Sequence, residues 1–241
     1  MIKYAIISDI HGNLEALTAV LKDIENQGIT GYICLGDIAG YGANPNECIT
    51  IIRDLHCPCV LGNHDAGALG KTDIGDFNAP ARFAIEYHKK ILTDESKSYL
   101  SSLSYVQRIE AFTIVHANLE KPEEWGYVFN SNDAEHCFTF QKDSVCFFGH
   151  THIQCSFQSN TLTPFIKTGK LRIKPGSKFL INVGSVGQPR DGNPKAAYGI
   201  YDLEENAVTF RRVEYDIKTA QQKILDANLP NILALRLAMG K

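Results

Sequence analysis

Lys3-Tyr4-Ala5-Ile6-Ile7-Ser8-Asp9-Ile10-His11-Gly12-Asn13 is a short apolar run that breaks into acid, imidazole and amide side chains. Residues 3–8 are continuously apolar in the middle, the pattern of a strand buried on both faces. Asn13 then reads as a helix cap, because Leu14, Leu17, Val20, Leu21 and Ile24 recur at helical spacing until Gly28. The unit is strand, polar turn, helix, and it repeats. Residues 32–35 form a second strand ending in Gly36-Asp37. Asn44-Pro45-Asn46-Glu47 starts a helix with a capping residue, a proline at its first position and a glutamate three residues after the cap. A third strand at residues 59–61 delivers Gly62-Asn63-His64-Asp65. Three strands alternating with helices predict a parallel βαβαβ arrangement, and open α/β sheets gather ligands at the carboxyl ends of such strands.

Beyond this unit the chain is first helical, then mostly β. Asn78 caps a segment with Phe83, Ala84, Tyr87 and Ile91 on one face, and Thr93 starts another helix. Strands at residues 105–109 and 112–115 follow, the second ending in His116, and residues 119–130 read as a loop long enough to shape a cleft. After a short helix at 131–140, a strand at 145–148 runs into Gly149-His150-Thr151-His152. Further strands are expected at 154–158, 171–174, 178–183, 197–203 and 207–213, with Glu204-Glu205-Asn206 as a hairpin turn, and helices at 217–227 and 229–239. No repeat, low-complexity block or Pro/Ser-rich linker divides the chain, so one domain over residues 1–241 is expected.

The bulk numbers bound the function. With 241 residues and 44% hydrophobic composition, the chain can bury a sizeable core. A net charge of -3, without a run of like charge, argues against extended nucleic-acid binding and against a membrane surface. The first residues lack the apolar stretch and cleavage site of a signal peptide, and no run approaches membrane-spanning length, so a cytoplasmic location is expected. Seven cysteines is an odd number, and Cys34, Cys59 and Cys146 lie inside apolar runs where a thiol acts as a small hydrophobe.

Each polar strand end is weak evidence alone. Their force lies in the set: Asp9, His11, Asp37, Asn63, His64, His116, His150 and His152 occur in five successive strand-end motifs. Of the eight histidines only His56, His88 and His136 fall outside, and they are assigned to solvent or packing. Carboxylate, imidazole and amide ligands suit borderline first-row divalent ions, with Mn first and Fe, Zn or Ni as alternatives. There are ligands enough for two ions. Two ions about 3.5 to 4 Å apart need a shared carboxylate such as Asp37, and hydroxide forms the second bridge, which makes phosphoryl transfer to water the natural reaction.

Asp9-Ile10-His11, Gly36-Asp37-Ile38-Ala39-Gly40, Gly62-Asn63-His64-Asp65, His116 and Gly149-His150-Thr151-His152 resemble, in order and type, the signature of the calcineurin-like metallophosphoesterases. The resemblance implies a four-layer α/β/β/α sandwich of two mixed sheets flanked by helices. It implies that Asp9, His11, Asp37 and His152 hold one metal and that Asp37, Asn63, His116 and His150 hold the other. It also implies that His64 is the acid facing the leaving group, oriented by Asp65. The chain departs from the Ser/Thr protein phosphatases and diadenosine tetraphosphatases, where the second motif continues with Asp-Arg and the third ends in Glu. It looks more like the small bacterial and archaeal phosphodiesterases. A replacement for the missing arginine is Arg190, in the Gly-rich loop after Asn182, or else that loop is simply tight and Arg190 lies on the surface. Asn13 is carried with Arg190 as a candidate substrate contact. The expected activity is hydrolysis of a small or nucleotide-derived phosphoester. The alternatives are a dinucleoside polyphosphate hydrolase, a protein phosphatase, or a non-catalytic scaffold of the same fold, as in the metallophosphoesterase-like subunit of retromer. Neither charge nor length favours a nuclease.

Overall fold

A computed structural model describes residues 2–159 and 169–241. Two five-stranded mixed sheets pack face to face. One has the order β2-β1-β9-β10-β7, formed by Gly31–Cys34, Lys3–Ile7, Ala196–Asp202, Ala207–Val213 and Gly169–Arg172. The other has the order β3-β4-β5-β8-β6, formed by Val106–Ile109, Phe112–Val115, Val145–Phe148, Phe179–Val183 and Gln154–Gln158. Strand alternation explains the layers, since successive side chains point to opposite faces. In β1, Ile6 enters the core between the sheets, while Ala5 and Ile7 face the core shared with α1 (Leu14–Ile24) and α2 (Pro45–Asp54). In β5, Val145 and Phe147 meet Ile6 between the sheets, and Cys146 and Phe148 pack under α6 (Ser131–Phe140). Both faces of these strands are therefore buried, as their uninterrupted apolar runs require. The four-layer sandwich follows, with α7 (Ile217–Asp226) and α8 (Asn231–Met239) joining α4 (Ala79–Ile91) in a cluster beside it.

The parallel pairs fix where the polar loops meet. β1 runs parallel to β2, and β4, β5 and β8 run parallel to one another. Their carboxyl ends release Asp9 and His11, Asp37, His116, and His150 and His152.

The structure changes two sequence expectations and narrows a third. The third strand shrinks to isolated bridges, Cys34 with Cys59 and Val60 with Ser104, and Asn63–Ala68 is a short helix, α3, rather than a strand end. The buried face of α4 is Ala81, Ala84, Ile85 and His88, whereas Phe83 is 51% exposed. His88 is fully buried, so of the two places expected for it, solvent or packing, it takes the second. Among the described residues no helix is long and apolar enough to cross a membrane, and all seven cysteines are free thiols.

Candidate metal centre

Two turns are knitted together at the edge of the first sheet. The His11 amide donates to the Asp37 carbonyl at 2.9 Å, Gly12 to Ile38 at 2.8 Å, and Gly42 back to His11 at 2.8 Å. From the second sheet, the His150 amide donates to both carboxylate oxygens of Asp9 at 3.1 Å. Asn182 at the end of β8 braces this last turn, its side-chain amide donating to the Gly149 carbonyl and the Thr151 hydroxyl. Two glycines set where His64 sits. A Cβ on Gly40, whose φ is +101°, would lie 2.5 Å from His64 Nδ1, and one on Gly62 would lie 2.1 Å from Asp37 Oδ1. The second absence brings α3 against Asp37, so that the His64 amide donates to Asp37 Oδ1 at 2.9 Å.

The resulting cluster is buried and dense. Asp9, His11 and His152 offer ligand atoms within 4.8 Å of one another, as do His11, Asp37 and His64, and again Asp37, His116 and His150. Asp37 lies between the groups, with Oδ2 at 3.6 Å from His11 Nε2 and 3.3 Å from His116 Nε2. Asn63 joins the second group, its Oδ1 at 3.1 Å from His116 Nε2.

Backbone carbonyls fix the ring tautomers. Nδ1 of His11 meets the Ala39 carbonyl at 3.0 Å, Nδ1 of His116 the Leu35 carbonyl at 2.8 Å, and Nδ1 of His152 the Gln188 carbonyl at 2.6 Å. A carbonyl only accepts, so each Nδ1 carries hydrogen and each Nε2 turns toward the cluster. Nε2 of His11 and Nε2 of His152 lie 3.0 Å apart. Burial depresses both imidazoles well below the usual histidine value, which leaves two lone pairs aimed at each other. A cation between them resolves that opposition. His150 is another neutral donor: burial, reinforced by His116, lowers it to about 3, and its Nε2 is buried without a hydrogen-bond partner. Burial opposes charge on His116, but the adjacent Asp37 carboxylate outweighs it and raises this imidazole to about 9. Asp37 itself is held well below the carboxylate range, because His116, His64 and His11 together outweigh its burial. The neutral imidazoles of His11, His150 and His152, the carboxylates and an amide oxygen fit divalent transition ions, and His116 joins them once an ion takes the place of its proton.

The backbone is strained at the same places. Five of the seven candidate ligands, Asp9, His11, Asp37, His150 and His152, have left-handed φ between +51° and +67°. Asp and His tolerate this region better than most residues, yet such conformations persist only where surrounding structure imposes them.

Asp65 does not orient His64. Its carboxylate accepts the amides of Ala39 at 2.8 Å, Gly62 at 3.2 Å and Ile38 at 3.3 Å, while Nδ1 of His64 has no hydrogen-bond partner. Consecutive residues on a helix point about 100° apart, so Asp65 serves the Asp37 loop and His64 faces the cavity. The Arg190 guanidinium does reach the site's edge: Nη2 donates to the Tyr41 hydroxyl at 3.0 Å and to Gln188 Oε1 at 3.0 Å, and the group lies 5.5 Å from the Tyr41 ring centre. Asn13 is spent inside the protein, accepting from the Ala16 amide and donating to the Gly187 carbonyl.

A sequence-family description, the calcineurin-like phosphoesterase superfamily domain, matches residues 2–206. The chain belongs to that superfamily. A metallophosphoesterase from Sphaerobacter thermophilus is 37% identical and superposes with a TM-score of 0.91, covering 100% of this chain and 99% of that one. An uncharacterized protein of Methanocaldococcus jannaschii is 46% identical over 98% of both chains. A hypothetical protein of Pyrococcus horikoshii, 22% identical, shares the fold with a TM-score of 0.82 over 100% of this chain and 99% of its own. The His/Asp clusters lie within the segment that the superfamily description matches.

Sequence reasoning missed Tyr41 and His88. Tyr41 packs 4.6 Å from the His11 ring and 4.5 Å from the His64 ring, between the metal cluster and Arg190. His88 Nδ1 accepts the Gly40 amide at 2.9 Å, and its Nε2 donates to the Gly42 carbonyl at 2.8 Å. A signal for it existed: residues 81, 84, 85 and 88 share one helical face on which only residue 88 is polar, and a buried polar side chain must be bonded.

Proposed function

We propose that this superfamily member hydrolyses small phosphate esters, monoesters or diesters, with two divalent transition ions, manganese foremost. The observation that carries the reading is the pair of Nε2 lone pairs of His11 and His152, 3.0 Å apart beside Asp9 and Asp37. Such ions, when bound, draw charge from the phosphoryl oxygens and make water nucleophilic near neutral pH. The protein's own groups supply the rest. His64 borders the cavity and, once protonated, gives its proton to the departing oxygen. Burial lowers it to about 4, with Asp37 opposing, so the acid form depends on the negative charge of a bound phosphate. Arg190 is pre-aimed by Tyr41 and Gln188 and grips a non-reacting phosphoryl oxygen. A scaffold would need neither the complete ligand set nor His64. The setting proposed for this chemistry is the cytoplasm.

The test loads the chain with Mn²⁺ and assays bis-nitrophenyl phosphate, nitrophenyl phosphate, cyclic nucleotides, dinucleoside polyphosphates and a phosphopeptide. Turnover that vanishes with chelator and with Asp37→Asn supports the reading. Bound metal without turnover on every substrate overturns it in favour of the scaffold.

A further inference from the structure

The cavity above the candidate metal centre is about 550 Å³, and its outer half is chemically unlike its floor. The floor holds Asn63, His64, His150 and Arg190. The outer half is acidic and aromatic: Asp73, Asp76, Glu123 and Glu124 line it together with Phe77, Trp125 and Tyr127. Of these acids Glu124 pairs with Lys121 at 2.9 Å and Glu123 also interacts with that lysine, whereas Asp73 and Asp76 make no salt bridge among the described residues. Arg190 is the one Lys or Arg among the cavity-lining residues. The aromatic groups are set in place, not incidental. Phe77 stands edge-on to His64 at 5.1 Å, and Tyr127 stacks on His150 at 4.0 Å. Trp125 adopts a left-handed φ of +58°, an outlier for so bulky a residue, with its Nε1 buried and unpartnered. On the floor, His150 is 5% exposed and also presents an unpartnered nitrogen.

A phosphate seated between Arg190 and the metal ligands leaves the rest of the substrate in this outer half. Asp73 and Asp76 repel a second anionic group there, and the aromatic rings of Phe77 and Trp125 beside these acids attract a cation. We propose that the substrate is a phosphoester whose alcohol part carries positive charge, an amino or quaternary ammonium alcohol, and that Asp73, Asp76, Glu123, Phe77 and Trp125 select it. This rests on the phosphoesterase reading above. Hydrolysis of such an ester puts the oxygen of water on phosphorus, breaks the bond from phosphorus to the alcohol oxygen, and returns a proton to the alcohol. Polyanionic esters, dinucleoside polyphosphates among them, are disfavoured by the same charges.

The discriminating experiment compares choline phosphate with dimethylbutyl phosphate, the isostere in which carbon replaces the quaternary nitrogen, on the Mn²⁺-loaded full chain. The expected kcat/KM ratio is about tenfold in favour of the cation, from one cation–π contact and screened attraction. It should fall to within about twofold in the triple variant Asp73→Asn, Asp76→Asn, Glu123→Gln, whose thermal melting and Mn²⁺ content should match the parent. A ratio near one, or a ratio that the variant does not alter, overturns the inference. If bis-nitrophenyl phosphate is hydrolysed and neither isostere is, the inference fails and the phosphoesterase reading stands. If nothing is hydrolysed, the phosphoesterase reading fails, and calorimetric binding of choline against dimethylbutanol judges the pocket directly. Equal affinity for those two alcohols overturns the inference.

Discussion

Replacing His88 by leucine removes the partner of the Gly40 amide and the partner of the Gly42 carbonyl in one step, and both glycines are buried. Each backbone group left unsatisfied costs about 1 to 3 kcal/mol, so the variant should lose about 2 to 6 kcal/mol of unfolding free energy. The loop it releases carries Asp37 and packs against the rings of His11 and His64, so metal affinity and turnover should fall with it. Glutamine separates its amide oxygen and nitrogen by a span close to that of the two ring nitrogens. His88→Gln can therefore keep both bonds and should keep most activity. The two variants also differ from the parent in their response to acid. Burial lowers His88 to about 4, against 6.5 for a free histidine. Between those values the unfolded chain binds a proton that the folded chain refuses, so His88 destabilises the fold as pH falls from 6.5 to 4 and has no effect above 6.5. At 1.36 kcal/mol per pH unit the full loss is about 3 kcal/mol. Urea titrations from pH 4 to 7 read this directly: His88→Gln should flatten that part of the stability profile. A leucine variant with unchanged metal content and less than about 1 kcal/mol of lost stability would refute the reasoning.

Other outcomes are equally open to measurement. His64→Ala should lower kcat by about 10² to 10⁴ while metal content, by elemental analysis, stays at the parent level; unaltered turnover removes His64 from the chemistry. Arg190→Ala should raise KM for phosphoesters more than it lowers kcat, and Tyr41→Phe, which removes one acceptor of that guanidinium, should give a smaller shift in the same direction. Mn²⁺ at a hundredfold excess over its Kd should add about 2.7 kcal/mol of stability, reversed by chelator. Arg108 and Thr113 hydrogen bonds hold the Asp143 carboxyl below its ordinary value. Its contribution is present above the unfolded-state pKa and lost as pH falls through the folded one, so Asp143→Asn should weaken the fold at neutral pH more than in acid.

Legibility in the sequence followed the physics of each feature. The buried strands are readable because β5 and the middle of β1 are apolar without interruption, and the candidate ligands stand out because most of them follow such runs. The division into two sheets was not readable from periodicity. Ile6 and Ile7 belong to different cores, and nothing in their chemistry says which neighbour either meets; the family resemblance supplied it. The Gly62 to Asp65 turn reads as a strand end because three residues bearing two isolated bridges look like a strand in a short window, while a six-residue helix has no periodicity to display. Phe83 drew the reading of α4 toward the wrong face because a large apolar residue outweighs a histidine in any hydrophobic pattern, although it is the histidine that lies inside. The Asp65 role came from the family resemblance, and in this chain the short helix turns the adjacent side chains of His64 and Asp65 in different directions.

The left-handed backbone of the ligand turns sets stability and function against each other. An L-residue in that conformation costs about 1 to 2 kcal/mol, and glycine adopts it freely. His150, at φ +67° and with an unpartnered nitrogen in the interior, is the clearest position. In the metal-free chain, His150→Gly relieves both burdens, so a population selected only for heat tolerance should drift toward glycine there and lose the ligand. The histidine endures only where the metal-loaded chain is what selection sees.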